Sequence, residues 1–141
     1  MDRKASARWQ GDLKGGKGTV RLGSGAFEGN YSFSSRFESA SGTNPEELIG
    51  AAHAGCFSMA LSLFLTQAGK APRSIATEAT VHLEKEGEGF AITGIHLATT
   101  GDVPGVSAAE FQQCAEEARK NCPVSRALSV PITLQATLAG A

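Results

Sequence analysis

The chain has 141 residues, with 13 Lys+Arg against 14 Asp+Glu and a formal net charge of −1, a length that suits one domain of a common size, ~100–150 residues. At 41% hydrophobic and 19% charged it reads as a folded globular chain rather than a disordered one. A near-neutral balance offers no electrostatic footprint for nucleic acid, so no nucleic-acid partner is expected.

The opening Met1-Asp2-Arg3-Lys4-Ala5-Ser6 leads into polar residues instead of the apolar run of a secretory signal, and a cytoplasmic location is the expectation. Gly11, Gly15, Gly16, Gly18, Gly23, Gly25 and Gly29 punctuate the first thirty residues. Short strands separated by glycine turns follow from that spacing, at residues 5–9 and 19–22 and ending in 31–33 and 36–37. Next comes Thr43-Asn44-Pro45-Glu46-Glu47. Asn44 can cap a helix, Pro45 suits its first position, and Glu47 stands at capping-box spacing. The helix runs to Ala68, where Gly69 and Pro72 stop it. Its apolar residues surround the axis instead of forming one stripe, so it reads as a buried central helix. His53, Ser58, Ser62, Thr66 and Gln67 interrupt it, and no membrane span is expected.

Residues 80–86 and 90–97 read as a long hairpin about a Gly87-Glu88-Gly89 turn. Ser107-Ala108-Ala109-Glu110 is a capping box opening a helix to about Asn121, and Pro123 breaks or restarts it. Residues 131–138 alternate as a closing strand. The order is βββ-α-ββ-α-β, an α+β fold of antiparallel sheets around the long helix, taken as a single domain over residues 1–141.

Three cysteines without a secretory signal argue against a disulfide framework and make a reactive thiol worth testing. Cys56 lies mid-helix among Ala51, Ala52, Ala54 and Gly55, which leave room beside its sulfur; the alternative is a small core residue. Cys122 precedes Pro123. If Pro123 opens a short helix through Leu128, Cys122 is its cap, where the helix dipole favours a thiolate; otherwise it is a packed loop residue. Cys114 has no such setting and reads as structural. His53 shares a helix face with Cys56: it could pair with the thiol as a base, ligate a metal with both cysteines, or simply pack with a hydrogen bond. No CxxC or HExxH spacing supports a metal, and no cofactor is expected.

A buried thiol needs help to ionise, since an unperturbed cysteine is only roughly 3% thiolate at pH 7. A guanidinium is the best permanent counter-charge. Arg36, just before the long helix, is the candidate, with Glu46 as its carboxylate; the alternative is a surface arginine and an ordinary helix-start glutamate.

The stretch from Thr43 to Leu61, with Cys122-Pro123-Val124-Ser125, Trp9-Gln10-Gly11-Asp12-Leu13-Lys14, Gly16-Lys17-Gly18 and Phe33-Ser34-Ser35-Arg36-Phe37-Glu38, resembles the OsmC/Ohr family of thiol peroxidases along the whole chain. The glycine-rich start and His53 favour its osmotically inducible branch over the organic-hydroperoxide-resistance branch. The resemblance implies an intertwined homodimer with active sites at the subunit interface and no bound metal. It makes Cys56 the peroxidatic thiol, Cys122 the resolving thiol, Glu46 the family's carboxylate and Arg36 its partner. Organic hydroperoxides would be the substrates, with hydrogen peroxide used less well, in an apolar pocket that Phe57 and Met59 would help line. A dithiol reductant (a lipoyl protein or a low-molecular-weight thiol) would restore the enzyme. Two other classes stay open: a hydrophobic-ligand-binding or structural stress protein with incidental thiol oxidation, and a metal-binding regulator.

Overall fold

Glycine turns and short β-prone segments place the amino-terminal strands where the spacing predicts them. In the computed structural model, which describes residues 1–140, β1 (Ala5–Gln10), β2 (Lys17–Leu22) and β3 (Glu28–Tyr31) form an antiparallel meander in that order. They belong to the first of two units, Met1–Leu48; the second begins at Ile49. Within the first unit, Trp9 and Tyr31 flank Gly18 across the sheet, their ring centroids 5.3 Å apart. Any side chain at Gly18 would collide with both rings, so glycine is what lets the aromatic pair close over the central strand.

The expectation that 31–33 and 36–37 end a strand is corrected. After Tyr31 the chain turns into a short helix, α1 (Phe33–Phe37). The cause is a reciprocal capping box: Ser35 N–H donates to Ser32 Oγ at 3.1 Å, and Ser32 N–H donates to Ser35 Oγ at 2.8 Å. Two free helix donors are thereby satisfied, and helix wins over the β-preference of the flanking aromatics. Ser35 Oγ also donates to Thr43 O at 2.7 Å, and Asn44 Nδ2 donates to Ser35 O. These bonds tie α1 to the start of the long helix, α2 (Pro45–Gln67). Asn44 caps α2 as expected, accepting Glu47 N–H at 2.8 Å. The carboxylate of Glu47 goes elsewhere, to Thr43 Oγ1 at 2.8 Å, so the box is closed by the preceding threonine hydroxyl.

From Ile49 onward α2 belongs to the second unit. By length and composition it could cross a membrane, but its face is divided. His53, Phe57, Leu61 and Leu65 are fully buried and recur at the helical period, so this stripe faces the core. Ala51, Ala52, Gly55, Met59 and Leu63 are exposed on the other side, Met59 at 76% and Leu63 at 53%. The expected fully buried helix is therefore buried on one stripe only, because the single chain packs one side of it.

That core is completed by β4 (Ser74–Glu86), β5 (Gly89–Asp102), α3 (Ala108–Asn121), α4 (Pro123–Ala127) and β6 (Ile132–Leu138). Both hairpin strands outrun the predicted 80–86 and 90–97. Residues 74–79 are mostly Ser, Ala, Thr and Glu, which carry little β signal. They become strand because β5 pairs with them as far as Ser74 opposite Asp102. The tight turn is Gly87-Glu88, with Gly87 at φ +60° and Glu86 facing Gly89, the arrangement of a two-residue hairpin loop that needs a positive φ. A second correction concerns the sheet, whose order is β4-β5-β6: β5 and β6 run parallel, not antiparallel. The helical crossover through α3 and α4 returns the chain in the direction of β5, as a β-α-β connection must. Ser107 caps α3 in the predicted box, and Pro123 opens α4 as anticipated.

Phe57, Leu61 and Leu65 of α2 pack with Ile95 and Leu97 of β5 and Phe111, Ala115 and Ala118 of α3. Closest approach occurs at Gly101, where an added Cβ would stand 2.6 Å from Phe111 Cε2. Gly101→Ala is expected to cost about 1–3 kcal/mol of stability through overpacking, read as a lower urea midpoint with an unchanged slope.

Candidate thiol site

Cys122 sits where two helices meet. Its N–H donates to Ala118 O at 2.9 Å to end α3, and its carbonyl accepts Arg126 N–H at 3.0 Å to begin α4. Its backbone leaves the helical region (φ −55°, ψ 128°), as the residue before a proline does. The side chain is fully buried. Cys56, on α2, is half-buried, and all three cysteines are free thiols. Residues far apart in the chain are thus brought together: the Cys122 thiol and the Val124 backbone amide lie near enough to Cys56 to act on its ionisation.

The electrostatics of Cys56 are opposed. Burial pushes its thiol above the ordinary cysteine value, and the Cys122 thiol pushes in the same direction, while the Val124 N–H pulls it down. Among the described residues no cation figures in that balance. The helix-start amide, expected from the cap position to favour a Cys122 thiolate, acts on Cys56 instead: Pro123 has no N–H, so Val124 carries the first free amide of α4. Burial and the negative side chains Glu110 and Glu117 raise the Cys114 thiol, and Cys114 packs against the core on α3.

His53 is fully buried and does not pair with Cys56. Its Nε2 shares a 2.7 Å hydrogen bond with Ser125 Oγ on α4, and its Nδ1 has no partner among the described residues. Burial holds the imidazole below its ordinary pKa, since a protonated ring would place a second N–H donor in a dry site with nothing to accept it. Phe57, expected to line a pocket, lies wholly in the core, whereas Met59 stands exposed.

In the first unit, Arg36 and Glu46 are joined as the sequence suggests. Arg36 Nη2 donates to Glu46 Oε1 at 2.7 Å, and Nε donates to Oε1 at 3.1 Å and Oε2 at 3.3 Å. The guanidinium also lies 5.1 Å from the Phe37 ring centroid. Planar two-nitrogen contact of this kind fixes orientation as well as charge. The capping boxes and cross-links of α1 and the α2 start supply the rigid frame.

Two contributors escape sequence reading. Val124 is signalled only indirectly, as the residue after a helix-opening proline. Ser125 is visible only as the end of the Cys122–Ser125 stretch, and nothing local points to its partner 72 residues away.

A half-buried thiol beside a fully buried one, on an α+β scaffold, is the arrangement of a thiol site. Chain comparisons agree with that class. Residues 38–136 match the OsmC-like protein family. Peroxiredoxin OsmC of Escherichia coli is 53% identical over 135 residues, covering 95% of this chain and 94% of the relative. An organic hydroperoxide resistance protein of Xanthomonas axonopodis is 34% identical over 70% of this chain and 68% of its own. In structure, an organic hydroperoxide resistance protein from Elizabethkingia anophelis superposes with a TM-score of 0.71 at 25% identity, covering 98% of this chain and 96% of that one. This chain belongs to the OsmC-like protein family, with higher identity to its OsmC relative than to its hydroperoxide-resistance relative.

The Arg36–Glu46 contact predicts a stability effect. Glu46 is 8% exposed and Arg36 36% exposed as side chains. Removing the guanidinium leaves a largely buried carboxylate unpaired, and the partial exposure of Arg36 discounts the cost. Arg36→Ala is expected to lose about 1–3 kcal/mol, and Arg36→Ala/Glu46→Gln less than the sum of the single losses, measured as a double-mutant cycle in urea.

Proposed function

We propose that this protein is a cytoplasmic thiol-dependent peroxidase that reduces organic hydroperoxides to alcohols, with Cys56 as the peroxidatic and Cys122 as the resolving cysteine. The observation that carries the reading is the juxtaposition of Cys56 and Cys122, one thiol half-open and the other dry. Relatives named for peroxiredoxin and hydroperoxide resistance support the substrate class.

Cys56 thiolate attacks the terminal peroxide oxygen; the O–O bond breaks, the sulfur is oxidised by two electrons to a sulfenic acid, and the alkoxide leaves and takes a proton. Cys122 sulfur then attacks the sulfenic sulfur, forming the disulfide and releasing water. A dithiol reductant, a lipoyl protein or a low-molecular-weight thiol, returns both cysteines to thiols by exchange.

Ionising Cys56 needs a cation, and we assign that role to Arg36 oriented by Glu46. Within one straight helix, Glu46 and Cys56 are about 15 Å apart along the axis, too far to share a site in one chain. An antiparallel pairing of α2 with its copy across a two-fold axis would bring Glu46 of one subunit beside Cys56 of the other. Ala51 lies midway between the two, and the exposed face of α2 carries Ala51, Ala52, Gly55, Met59 and Leu63. A homodimer covering that face supplies both the burial an apolar helix needs and two composite sites.

Cys56→Ser is expected to abolish peroxide turnover, while Cys114→Ser retains most of it. One equivalent of peroxide should give a Cys56–Cys122 bridge by mass spectrometry; a Cys114 bridge would overturn the assignment. Mixed dimers of Glu46→Ala and Cys56→Ser chains should recover one working site of two. Failure of verified heterodimers to recover activity would remove the shared site. Arg36→Ala should raise the pH at which Cys56 becomes reactive towards iodoacetamide, and Arg36→Lys should restore only part of the shift.

A further inference from the structure

His53 and Ser125 are buried, hydrogen-bonded to one another, and have no part in the chemistry described so far. Their bond spans α2 and α4, one turn from Cys56 on the first helix and three residues from Cys122 on the second. α4 is only five residues long, too short to hold its own position by helix propensity. It nevertheless begins at Cys122 and carries the Val124 amide that pulls the Cys56 thiol down. We propose that the His53–Ser125 hydrogen bond is the latch that holds α4 against α2, keeping Cys122 and the Val124 amide in register with Cys56, and that both residues are positioning residues for disulfide closure. The inference rests on the Cys56–Cys122 reading above.

Geometry supports this role over simple packing. At 2.7 Å the bond joins α2 to α4 directly, side chain to side chain. Its alignment matters because closure requires the two Cα atoms within roughly 4.4–6.8 Å, a window that a sliding five-residue helix would leave. An imidazole suits this position. Held neutral by burial, it presents Nε2 to the hydroxyl without introducing a charge that would have to be buried as well. Its i,i+3 spacing from Cys56 puts both on one helix face, so α4 is gripped immediately beside the sulfur it serves. When Cys56 becomes a sulfenic acid, Cys122 must reach it before a second peroxide does. A loosened α4 would let oxidation proceed to the sulfinic acid.

Positioning and general stability are separated by three variants. Ser125→Ala deletes the hydroxyl, His53→Leu deletes the imidazole, and His53→Gln retains an amide able to reach the Nε2 position. Each reduced protein is mixed with one equivalent of cumene hydroperoxide, and sulfenic acid, sulfinic acid and Cys56–Cys122 disulfide are followed by quenched intact mass. Thiolate absorbance in the far ultraviolet gives the Cys56 titration, and urea melts confirm that each variant is folded. Ser125→Ala and His53→Leu should form sulfenic acid but close the disulfide roughly tenfold more slowly, the scale of a lost buried hydrogen bond. They should accumulate sulfinic acid and titrate Cys56 at higher pH, while His53→Gln recovers most of the closure rate. Folded Ser125→Ala that closes at the wild-type rate, with an unchanged Cys56 titration, would overturn the latch while leaving the dithiol reading intact. Wild-type protein that forms no Cys56–Cys122 disulfide would instead overturn the dithiol reading and the latch together.

Discussion

Making a thiolate in an apolar place is the constraint on which the structure turns. Cys56 is set in a helix whose neighbours are alanine, glycine, phenylalanine and methionine, and burial there drives its thiol away from ionisation. Removing water also makes each remaining favourable contact count for more, because a hydrogen bond or charge acts more strongly in a low-dielectric site. The Val124 amide is one such contact. A guanidinium is the other that the proposed chemistry requires, and the Arg36–Glu46 pair holds one in a fixed plane. A lone arginine would search many rotamers; tied to Glu46 through two nitrogens, it retains little of that freedom. The carboxylate orients the arginine at the cost of part of its field, a trade that favours geometry over raw charge.

Local chemistry makes some of this legible in the sequence. Asn44-Pro45 and Ser107 announce their helices because caps act within four residues, and Pro123 announces α4 for the same reason. The Arg36–Glu46 pair is readable because both groups flank one helix start. α1 is not readable: its serines form a capping box that competes with aromatic, strand-like neighbours, and propensity alone favours the strand. Residues 74–79 are hidden for the opposite reason, since nothing in Ser-Ile-Ala-Thr-Glu-Ala demands a strand until β5 offers a ladder. The parallel direction of β6 depends on where the α3–α4 crossover returns the chain, which no residue of β6 encodes.

The site shows the same division. Cys56 and Cys122 stand out by their settings and by family resemblance, whereas their contact is a tertiary fact that spacing does not reveal. His53 illustrates the limit more sharply. Its spacing from Cys56 invites a base or a ligand, yet the ring turns to Ser125 and leaves Nδ1 unpaired among the described residues. An i,i+3 relation brings two side chains to one face but does not choose their partners.

Glycine placement along α2 bears on the partner helix as well. A glycine inside a helix costs about 0.5–1 kcal/mol relative to alanine, so each one calls for a physical reason. At Gly50 an added Cβ would make ordinary van der Waals contacts with β4, Val81 Cγ2 at 3.4 Å and Ala79 O at 3.5 Å. At Gly55 a Cβ meets nothing within 4 Å, and the residue sits on the exposed stripe between Ala52 and Met59. Alanine there would stabilise the isolated helix at no steric cost. In the proposed antiparallel pair the same position lies near the crossing, where a missing side chain allows two backbones to approach and lets the far ends of each helix meet. The cost borne by the single chain at Gly55 is then offset where the second copy covers it, and the neighbouring Cys56 gains the closed, water-poor surroundings that its chemistry requires.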